Sequence, residues 1–375
     1  MRMRVLILSS NNGGGHNAAA RALQEVFEAH GDLCRVEDCL SFISEDISHA
    51  IARSHNFVYR HAPKLFDSGY RHTMKHPKTF MEHHGSRRML SLGRKNLGRY
   101  IRDGGYDAVI CTHVFASLML TDARRKYSLP VRTGVVETDY TATPGTQAGG
   151  LDWHFIPAAS LADGLAALGV DRAKIVPSGI PVRGAFYDRT DRAEAKRALG
   201  IPEGRRHLLV MGGSMGAGPV PELVSALTRQ MDKDCAVSIV CGTNRALADG
   251  LRAAYGGDDR IAVYDSVDFI PALMDSAELL LTKPGGITVT EAAVKGLPMV
   301  LVSTVAGCEG YNLRFFTDLG GAATADTPQA LARLSLDLLR DDARRARMAA
   351  ALEGLARAND REVIWRTMQG MEQRR

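Results

Sequence analysis

The sequence predicts an α/β protein with two domains, each built on a parallel sheet covered by helices. Three observations lead to this prediction. Short apolar runs alternate with stretches of helical periodicity, a pattern typical of parallel sheets. The pattern starts afresh at His207, and each half has a glycine-rich loop directly after a predicted strand. The 375 residues are also enough for two separate cores.

The first half contains six predicted strands, each a short apolar run between polar residues. They are Arg4–Ser9, Cys34–Glu37, Ala108–Cys111, Val131–Glu137, Asp152–Ile156 and Lys174–Pro177. Helical periodicity predicts helices over Ala18–Ala29 and about Phe115–Lys126. The stretch Gly179-Ile180-Pro181-Val182 and the polar residues after it predict the domain boundary.

The second half repeats the pattern, with a predicted helix over Pro221–Gln230 and a helical tail over Asp341–Arg375. Its predicted strands are His207–Met211, Ala236–Cys241, Ile261–Tyr264, Ala277–Leu281 and Met299–Val302. The tail has apolar residues at roughly helical spacing: Met348, Leu352, Leu355, Ile364 and Met368. We expect an N-terminal domain over 1–181, a second domain over 182–340, and a tail over 341–375 that packs back toward the first.

Composition limits the class of protein. The chain is 45% hydrophobic and 24% charged, as is usual for globular proteins, with a formal net charge of +5. No apolar run approaches the roughly 18 residues that span a bilayer, and we expect no signal peptide. The six cysteines include no C-x-x-C pair and several lie in apolar runs, so we expect reduced core residues, as in a cytoplasmic protein.

The most informative stretch covers residues 282–291, Thr-Lys-Pro-Gly-Gly-Ile-Thr-Val-Thr-Glu. It joins a buried strand to a helix through two glycines. The glycines let backbone N–H groups approach a phosphate, and a helix N-terminus supplies unpaired donors and partial positive charge. Glu291, about one turn into the helix, can accept hydrogen bonds from a ribose. The stretch therefore predicts a site for a nucleotide diphosphate.

The first glycine loop, Asn12 to Ala18, allows two functional interpretations. It loosely matches G-x-G-x-x-A, with Glu37 and Asp38 about twenty residues on, which indicates a dinucleotide site and an NAD-dependent enzyme. Alternatively, His16 begins a helix whose N-terminus disfavours the protonated imidazole and keeps it available as a general base. A third interpretation is that His16 is a polar residue of the first helical turn without a catalytic role. A P-loop NTPase is not expected, since no G-x-x-x-x-G-K-[ST] occurs.

The second glycine loop, Gly212 to Gly216, has the sequence of a backbone nest for a phosphate or a substrate hydroxyl, or of a simple tight turn. Both glycine loops are predicted to follow strands, and ligands of open α/β sheets bind beyond the carboxyl ends of strands. We expect the substrate in a cleft between the two domains. Asp232-Lys233-Asp234 spells D-x-D, a signature of some metal-dependent sugar transferases, but we interpret it as a solvated turn.

Six motifs then point to one family. They are Gly13-Gly14-Gly15-His16-Asn17-Ala18-Ala19, Thr112-His113, Val136-Glu137-Thr138-Asp139-Tyr140, Gly179-Ile180-Pro181-Val182, Cys241-Gly242-Thr243-Asn244, and Lys283-Pro284-Gly285-Gly286-Ile287-Thr288-Val289-Thr290-Glu291. In this order, over roughly residues 5 to 325, the chain resembles the monogalactosyldiacylglycerol synthase and processive diacylglycerol glucosyltransferase family. That family is related to the enzyme that adds N-acetylglucosamine to lipid I.

The resemblance implies a GT-B fold of two Rossmann-like domains. It also implies an inverting, metal-independent transfer of a hexose from a UDP-sugar to a diacylglycerol-type lipid, with no cofactor. His16 would be the base and Asp139 would lie near the acceptor. Phe269 and Ile270 would border the uracil, and Glu291 would take the ribose hydroxyls. The implied donor-binding residues are Gly14, Gly15, Gly213, Ser214, Phe269, Ile270, Gly285, Gly286, Ile287, Thr288, Glu291, Glu309 and Asn312.

The chain departs from the family pattern at one motif. Relatives commonly carry Pro-Gly-Gln-Glu-Glu-Gly-Asn, whereas residues 306–312 here read Ala-Gly-Cys-Glu-Gly-Tyr-Asn. Glu309 and Asn312 match, but Cys308 replaces a Gln that touches the sugar, and a thiol is a weak hydrogen-bond partner. The identity of the sugar stays open. Also open are an N-acetylglucosamine-type transfer to another lipid-linked acceptor, a soluble UDP-sugar 2-epimerase or hydrolase, and a non-catalytic UDP-sugar sensor.

Residues 53–102 concentrate positive charge, with twelve Lys or Arg and two acidic residues, a net of ten positive charges. Aromatic and aliphatic residues are interleaved with them. This pattern suits an anionic membrane surface, and a solvated pair of basic helices is the alternative. We find no recognised nucleic-acid-binding module and expect no nucleic-acid partner. We expect a cytoplasmic protein attached peripherally to the inner face of the cell membrane.

Overall fold

The computed structural model describes residues 2–11, 14–61, 84–143, 145–216, 218–302 and 307–371. The chain divides into two compact units. Unit 1 comprises Met1–Gly184, Ala306–Cys308 and Ala358–Arg375. Unit 2 comprises Ala185–Val305 and Glu309–Arg357.

The N-terminal part of unit 1 alternates strands and helices. In chain order these are β1 (Arg4–Ser9), α1 (Gly14–Ala29), β2 (Leu33–Asp38), α2 (Glu45–His61), α3 (His84–Gly104), β3 (Ala108–Cys111), α4 (Val114–Tyr127), β4 (Arg132–Val136), β5 (Trp153–Ile156), α5 (Ala162–Ala167) and β6 (Ile175–Pro177). The strands form one parallel sheet in the order β2-β1-β3-β4-β5-β6.

Unit 2 has the same kind of architecture. Its elements are α6 (Arg192–Ala198), β7 (Arg206–Met211), α7 (Val220–Thr228), β8 (Cys235–Val240), α8 (Arg245–Tyr255), β9 (Ile261–Tyr264), α9 (Ile270–Ser276), β10 (Leu279–Thr282), α10 (Gly286–Lys295), β11 (Met299–Val302), α11 (Glu309–Asp318), β12 (Ala322–Ala325), α12 (Pro328–Arg340) and α13 (Asp342–Ala358). The strands form a parallel sheet in the order β12-β11-β10-β7-β8-β9.

The last helix, α14 (Val363–Gln369), belongs to unit 1. Its residues Ile364 and Met368 are buried in the same apolar cluster as Val5 and Ile7 of β1. Trp365 adds a hydrogen bond from Nε1 to a carboxylate oxygen of Asp32, at 2.9 Å. The C-terminal helix therefore completes one face of the unit 1 core.

The two faces of β1 pack against different helices, because successive side chains of a strand alternate. Val5 and Ile7 share a cluster with residues of α1 and α14, whereas Leu6 and Leu8 share one with residues of α3 and α4. In unit 2, Leu208 of β7 belongs to a cluster that includes residues of α7 and α12. Strands covered on both faces need nearly continuous apolar runs, which explains why the sequence revealed them.

The predicted strands are all present, with ends within two residues of the prediction. Helix α1 begins at Gly14, four residues earlier than predicted, so the glycine loop runs into its first turn. Strand β12, Ala-Ala-Thr-Ala, was not predicted because it lacks the large apolar residues of the other strands. The tail is helical as predicted up to Gln369, but it breaks into α13 and α14 at residues 359–362. Residues 372–375 of the predicted tail lie outside the described ranges.

All six cysteines are free; four are buried, and Cys34 and Cys308 are partly exposed. Within the described ranges, no helix is both long and apolar enough to cross a bilayer.

Candidate functional site

Unit 1 gathers its candidate residues at the carboxyl ends of three neighbouring strands, β1, β3 and β4. Gly14 and Gly15 open helix α1 after β1, and His16 follows in its first turn. Thr112 follows β3 and Asp139 lies just beyond β4. Because neighbouring parallel strands end at the same edge of a sheet, residues distant in sequence meet there.

Hydrogen bonds place the proton of His16 on Nδ1. This nitrogen lies 2.6 Å from the carbonyl oxygen of Thr112 and 3.1 Å from Oγ1 of Thr138. A carbonyl oxygen can only accept, so Nδ1 donates to it. In the neutral ring the lone pair is then on Nε2, the nitrogen that can take a proton from a substrate.

Burial lowers the pKa of His16 from its ordinary value of 6.5. The negative charge of Asp139 and the hydrogen bond to Thr112 raise the pKa, but they do not outweigh burial. The ring of His113 packs edge-on against the imidazole, with centroids 4.6 Å apart. Burial therefore favours the neutral imidazole, the form that a general base requires.

This arrangement predicts an acid limb in the pH profile of activity. We expect kcat/KM to fall as the pH drops through the His16 pKa, below 6.5, because protonation occupies Nε2. Asp139→Asn removes a charge that raises this pKa, so its acid limb should lie at lower pH. Profiles over about pH 5 to 8, where histidines titrate, measure both limbs.

Glu28→Gln is the matched control for that experiment, because it removes an exposed carboxylate from the last turn of α1, the helix whose first turn carries His16. Its acid limb should stay where the wild-type limb lies. An Asp139→Asn limb that coincides with the wild-type limb would contradict the coupling of Asp139 to His16.

Glu137 is a buried acid. It lies in one of the six motifs, but the sequence analysis predicted no role for it. Burial raises its pKa to about 7, although hydrogen bonds from Thr143 and Thr146 lower it. Thr143 Oγ1 donates to Oε2 of Glu137 at 2.5 Å. This bond closes the loop that carries Asp139. An acid at the end of a buried strand was the only signal for it.

The two acids of the dinucleotide interpretation hold local structure. Tyr100 donates its hydroxyl to Oε1 of Glu37 at 2.7 Å. Asp38 caps the turn Cys39–Phe42 by accepting from the N–H of Leu40 at 3.1 Å. Both carboxylates therefore already serve the fold of unit 1, and neither supports a ribose-binding role.

In unit 2, helix α10 begins where the sequence predicts a phosphate site. Gly285 is the N-cap and Gly286 the first helical residue. The first amides of a helix have no acceptor within it, so the N–H groups of Gly286, Ile287 and Thr288 are donors at a partly positive helix end. Glu291 lies in the second turn and is half-buried. Helix N-termini of this kind bind phosphates in other proteins, and phosphate binding here stays a prediction.

Three neighbouring strands of unit 2, β7, β10 and β11, lead into candidate donor loops. Thr282, at the end of β10, donates its hydroxyl to the carbonyl of Met211, at the end of β7, over 2.9 Å. Asn312 of α11 is fully buried, and its Nδ2 donates to the carbonyl of Pro284 at 2.9 Å. Asn312 thus fixes the loop that precedes α10.

The motif at residues 241–244 holds the second glycine loop. Thr243 donates to the carbonyl oxygen of Ser214 through its N–H at 2.9 Å and its hydroxyl at 3.0 Å. Gly213 and Gly242 have φ angles of +70° and +60°, which favour glycine. A Cβ on Gly242 would lie 2.5 Å from the Ser214 oxygen. The close approach of these two loops was not evident from the sequence.

Phe269 precedes α9, and Ile270 is the first residue of that helix. The Phe269 ring is 36% exposed and packs edge-on against Tyr264 at the end of β9, with centroids 5.6 Å apart. A partly exposed, supported aromatic side chain of this kind can line the edge or face of a planar ligand.

The D-x-D sequence lies in an exposed turn, which confirms its interpretation as solvated. Asp232 pairs with Arg340 at 2.6 Å. Among the described residues, no group of three or more His, Cys, Asp or Glu side chains is placed to hold a metal ion.

The structure describes only part of the basic stretch over residues 53–102, because residues 62–83 lie outside the described ranges. Helix α3 turns an apolar face to the core with Leu90, Leu97 and Ile101. Leu92 is 63% exposed. Among the side chains of this helix that the structure describes, from residue 88 onward, the exposed basic ones are Arg88, Lys95, Arg99 and Arg102.

Both units match known families. Residues 16–182 match the monogalactosyldiacylglycerol (MGDG) synthase family, and residues 207–362 match the glycosyltransferase family 28 C-terminal domain. Over 363 residues the chain is 26% identical to the processive diacylglycerol beta-glucosyltransferase of Bacillus subtilis (strain 168), covering 96% of this chain and 93% of the relative. The protein of the same name from Bacillus pumilus (strain SAFR-032) is 24% identical with the same coverage.

Solved structures share the fold at low identity. MurG of Acinetobacter baumannii has a TM-score of 0.61 at 13% identity, with 99% of each chain covered. UDP-GlcNAc 2-epimerase from Neisseria meningitidis, bound to UDP-GlcNAc, has a TM-score of 0.62 at 13% identity, covering 98% of this chain and all of the other. Anabaena Alr3699/HepE in complex with UDP-glucose has a TM-score of 0.60 at 14% identity, covering 98% and 99%.

The two parallel sheets and these neighbours define a GT-B fold, as predicted, and the domain matches define a glycosyltransferase. The chain carries an MGDG synthase domain over residues 16–182 and a glycosyltransferase family 28 C-terminal domain over residues 207–362.

Proposed function

We propose that the protein transfers a hexose from a UDP-sugar to a diacylglycerol-type lipid, with inversion at the anomeric carbon and without a metal ion. Unit 2 holds the donor and unit 1 supplies the base. The observation that carries the proposal is the 2.6 Å contact of His16 Nδ1 with the carbonyl oxygen of Thr112, from which we infer that Nδ1 donates and that Nε2 is left as the base for a hydroxyl. The names of the Bacillus relatives support a diacylglycerol acceptor.

In the proposed reaction, Nε2 of His16 takes the proton of the acceptor hydroxyl. The hydroxyl oxygen attacks the anomeric carbon from the face opposite UDP, and the bond from that carbon to the diphosphate oxygen breaks. The sugar is thereby attached with inverted configuration. Asp139 stabilises the imidazolium through its negative charge, as its effect on the pKa indicates.

The leaving UDP carries negative charge that must be stabilised. The amides of Gly286, Ile287 and Thr288 meet this need as preorganised donors at a helix N-terminus. Phe269 and Ile270 border the uracil, Glu291 binds the ribose, and Glu309 faces the sugar. The solved complex of HepE with UDP-glucose supports a UDP-sugar as the donor of this fold.

Calorimetry with UDP and with NAD tests this ligand assignment. We expect heat of binding with UDP in a chelating buffer and none with NAD. Binding of NAD without UDP would favour the dinucleotide interpretation, and binding of neither would contradict the donor site.

Glu291→Gln tests the ribose contact. We expect UDP affinity to fall roughly 10- to 100-fold, because a hydrogen bond to a charged acceptor contributes about 1.5–3 kcal/mol. In the variant, 2′-deoxy-UDP should bind about as well as UDP, whereas the wild type should prefer UDP. Glu222→Gln on α7 is the control, since Glu222 is an exposed acid of another helix. A Glu291→Gln variant that still prefers UDP contradicts the assignment.

We further propose that the 53–102 stretch binds the anionic inner face of the cell membrane. The support comes from α3, which exposes basic side chains together with Leu92. Basic residues near such a surface contribute about 1 kcal/mol each, and apolar ones enter the interface. This would bring the enzyme to a lipid acceptor that does not leave the bilayer.

Vesicle flotation tests the membrane proposal. The triple variant Arg88→Gln, Lys95→Gln and Arg102→Gln should lose about 3 kcal/mol of affinity for anionic vesicles, roughly 100-fold. The control, Arg333→Gln, Arg344→Gln and Arg347→Gln, removes the same charge from exposed positions of unit 2. Equal loss in both variants, or equal wild-type binding to neutral and anionic vesicles, contradicts a specific surface on α3.

A UDP-sugar 2-epimerase is the second candidate, because the Neisseria epimerase shares the fold as closely as MurG does. The matches to MGDG synthase and to the diacylglycerol glucosyltransferases favour the transferase. Incubation with UDP-N-acetylglucosamine in the absence of lipid separates the two. An epimerase would convert it, whereas a transferase should leave it unchanged.

A further inference from the structure

Lys283 connects three loops of unit 2 at the carboxyl edge of the sheet. It follows β10, which lies between β7 and β11. The loop after β7 carries Gly213, and helix α11, which follows β11 in the chain, begins with Glu309. Lys283 contacts both of these residues, so one side chain spans the ends of three neighbouring strands.

The contact with Glu309 is an ion pair. Nζ of Lys283 lies 2.7 Å from Oε1 of Glu309, and the two side chains are only 15% and 8% exposed. A charge-assisted hydrogen bond of this length in a largely buried place restricts the rotamers of both side chains. The Glu309 carboxylate is therefore held in one orientation at the start of α11.

The contact with Gly213 depends on the absence of a side chain there. A Cβ on Gly213 would lie 2.6 Å from Cε of Lys283. The aliphatic stem of Lys283 therefore runs directly against the second glycine loop while its ammonium reaches Glu309. This path fixes the direction of the lysine as well as the position of its charge.

We propose that Lys283 is a positioning residue for sugar recognition, which holds the Glu309 carboxylate ready to accept hydrogen bonds from the hydroxyls of the donor sugar. The inference rests on the proposed function of the donor site. Lys283 acts through Glu309, so it affects recognition of the sugar more than recognition of UDP.

The variant Lys283→Met keeps most of the aliphatic stem and removes the charge. We expect kcat/KM for the UDP-hexose that the wild type uses to fall about 10- to 100-fold, as loss of a bond between charged groups predicts. The dissociation constant of UDP, measured by calorimetry, should change by less than about threefold. A purely structural role would weaken UDP and UDP-hexose alike.

Lys295→Met is the matched control. Lys295 forms an equally short ion pair, 2.7 Å, with Asp275, and both side chains are buried. Its loss should lower the melting temperature without changing the ratio of UDP-hexose affinity to UDP affinity.

A double-mutant cycle with Glu309→Gln completes the test. If Lys283 acts through Glu309, the double variant Lys283→Met, Glu309→Gln should be no worse than Glu309→Gln alone. Two results would overturn the inference. One is a double variant whose loss of kcat/KM equals the product of the two single-variant losses. The other is a loss of UDP affinity in Lys283→Met as large as its loss of UDP-hexose affinity.

If the wild type transfers no hexose, the proposed function fails. The ratio of UDP-hexose to UDP affinity in wild type and Lys283→Met still decides the role of the lysine.

Discussion

His16→Ala should lower turnover by roughly 10²–10⁴-fold while UDP binds as it does to the wild type. The imidazole is the only group of unit 1 to which we assign proton removal, and its Nε2 carries the lone pair because Nδ1 donates to Thr112. Loss of this base slows attack by the lipid hydroxyl. It leaves the amides of α10 unchanged, because they belong to unit 2. Turnover under saturating substrates and calorimetry with UDP separate the two effects.

Two further variants make the result decisive. His16→Gln retains an amide that can donate to Thr112 but has no basic nitrogen, so its loss should match that of His16→Ala. His49→Ala removes an exposed histidine of α2 and should keep full activity. Transfer by His16→Ala at a rate near wild type would end the assignment of the base.

Gly242→Ala should abolish tight donor binding, with kcat/KM for the UDP-sugar reduced by at least about 10²-fold. The new Cβ would lie 2.5 Å from the Ser214 carbonyl oxygen and 2.7 Å from that of Gly213. Both are backbone atoms, so the glycine loop itself must move. The positive φ of Gly242 adds about 1–2 kcal/mol of strain for alanine. Donor affinity measured by calorimetry reports the displacement directly.

Gly250→Ala is the matched control for Gly242→Ala. Gly250 lies in helix α8, its φ is not positive, and a Cβ there would meet no atom within 4 Å. Alanine at an exposed helical position should stabilise the protein by about 0.5–1 kcal/mol and leave donor affinity unchanged. Equal donor affinity in Gly242→Ala and Gly250→Ala would show that the second glycine loop takes no part in donor binding.

The sequence was most informative where local pattern decides structure. Strands covered on both faces have continuous apolar runs, and these were located within two residues. Strand β12 escaped prediction because Ala-Ala-Thr-Ala has no large apolar side chain, and its pairing with β11 is what makes it a strand. The early start of α1 at Gly14 was missed because glycine has a low helix propensity, so the glycine loop was not predicted to be helical.

The candidate site could be predicted only in part, for a related reason. The glycines and His16 were recognisable because each follows a strand in a short motif. The pairing of Lys283 with Glu309, and the contact between Gly242 and Ser214, depend on which strands are neighbours in the sheet. Strand order arises from long-range pairing, which periodicity along the chain does not encode. The burial of Glu137 and its raised pKa likewise follow from packing around the loop after β4.

The most direct test of the central claim is the product that the purified protein forms from UDP-glucose or UDP-galactose and diacylglycerol vesicles in the presence of a chelator. Mass spectrometry of the lipid and NMR of the anomeric proton identify that product. The account predicts a hexosyl diacylglycerol in the β configuration, inverted from the α-linked donor, with one UDP released for each sugar transferred. Consumption of the UDP-sugar with the lipid unchanged, or a product in the α configuration, would contradict it.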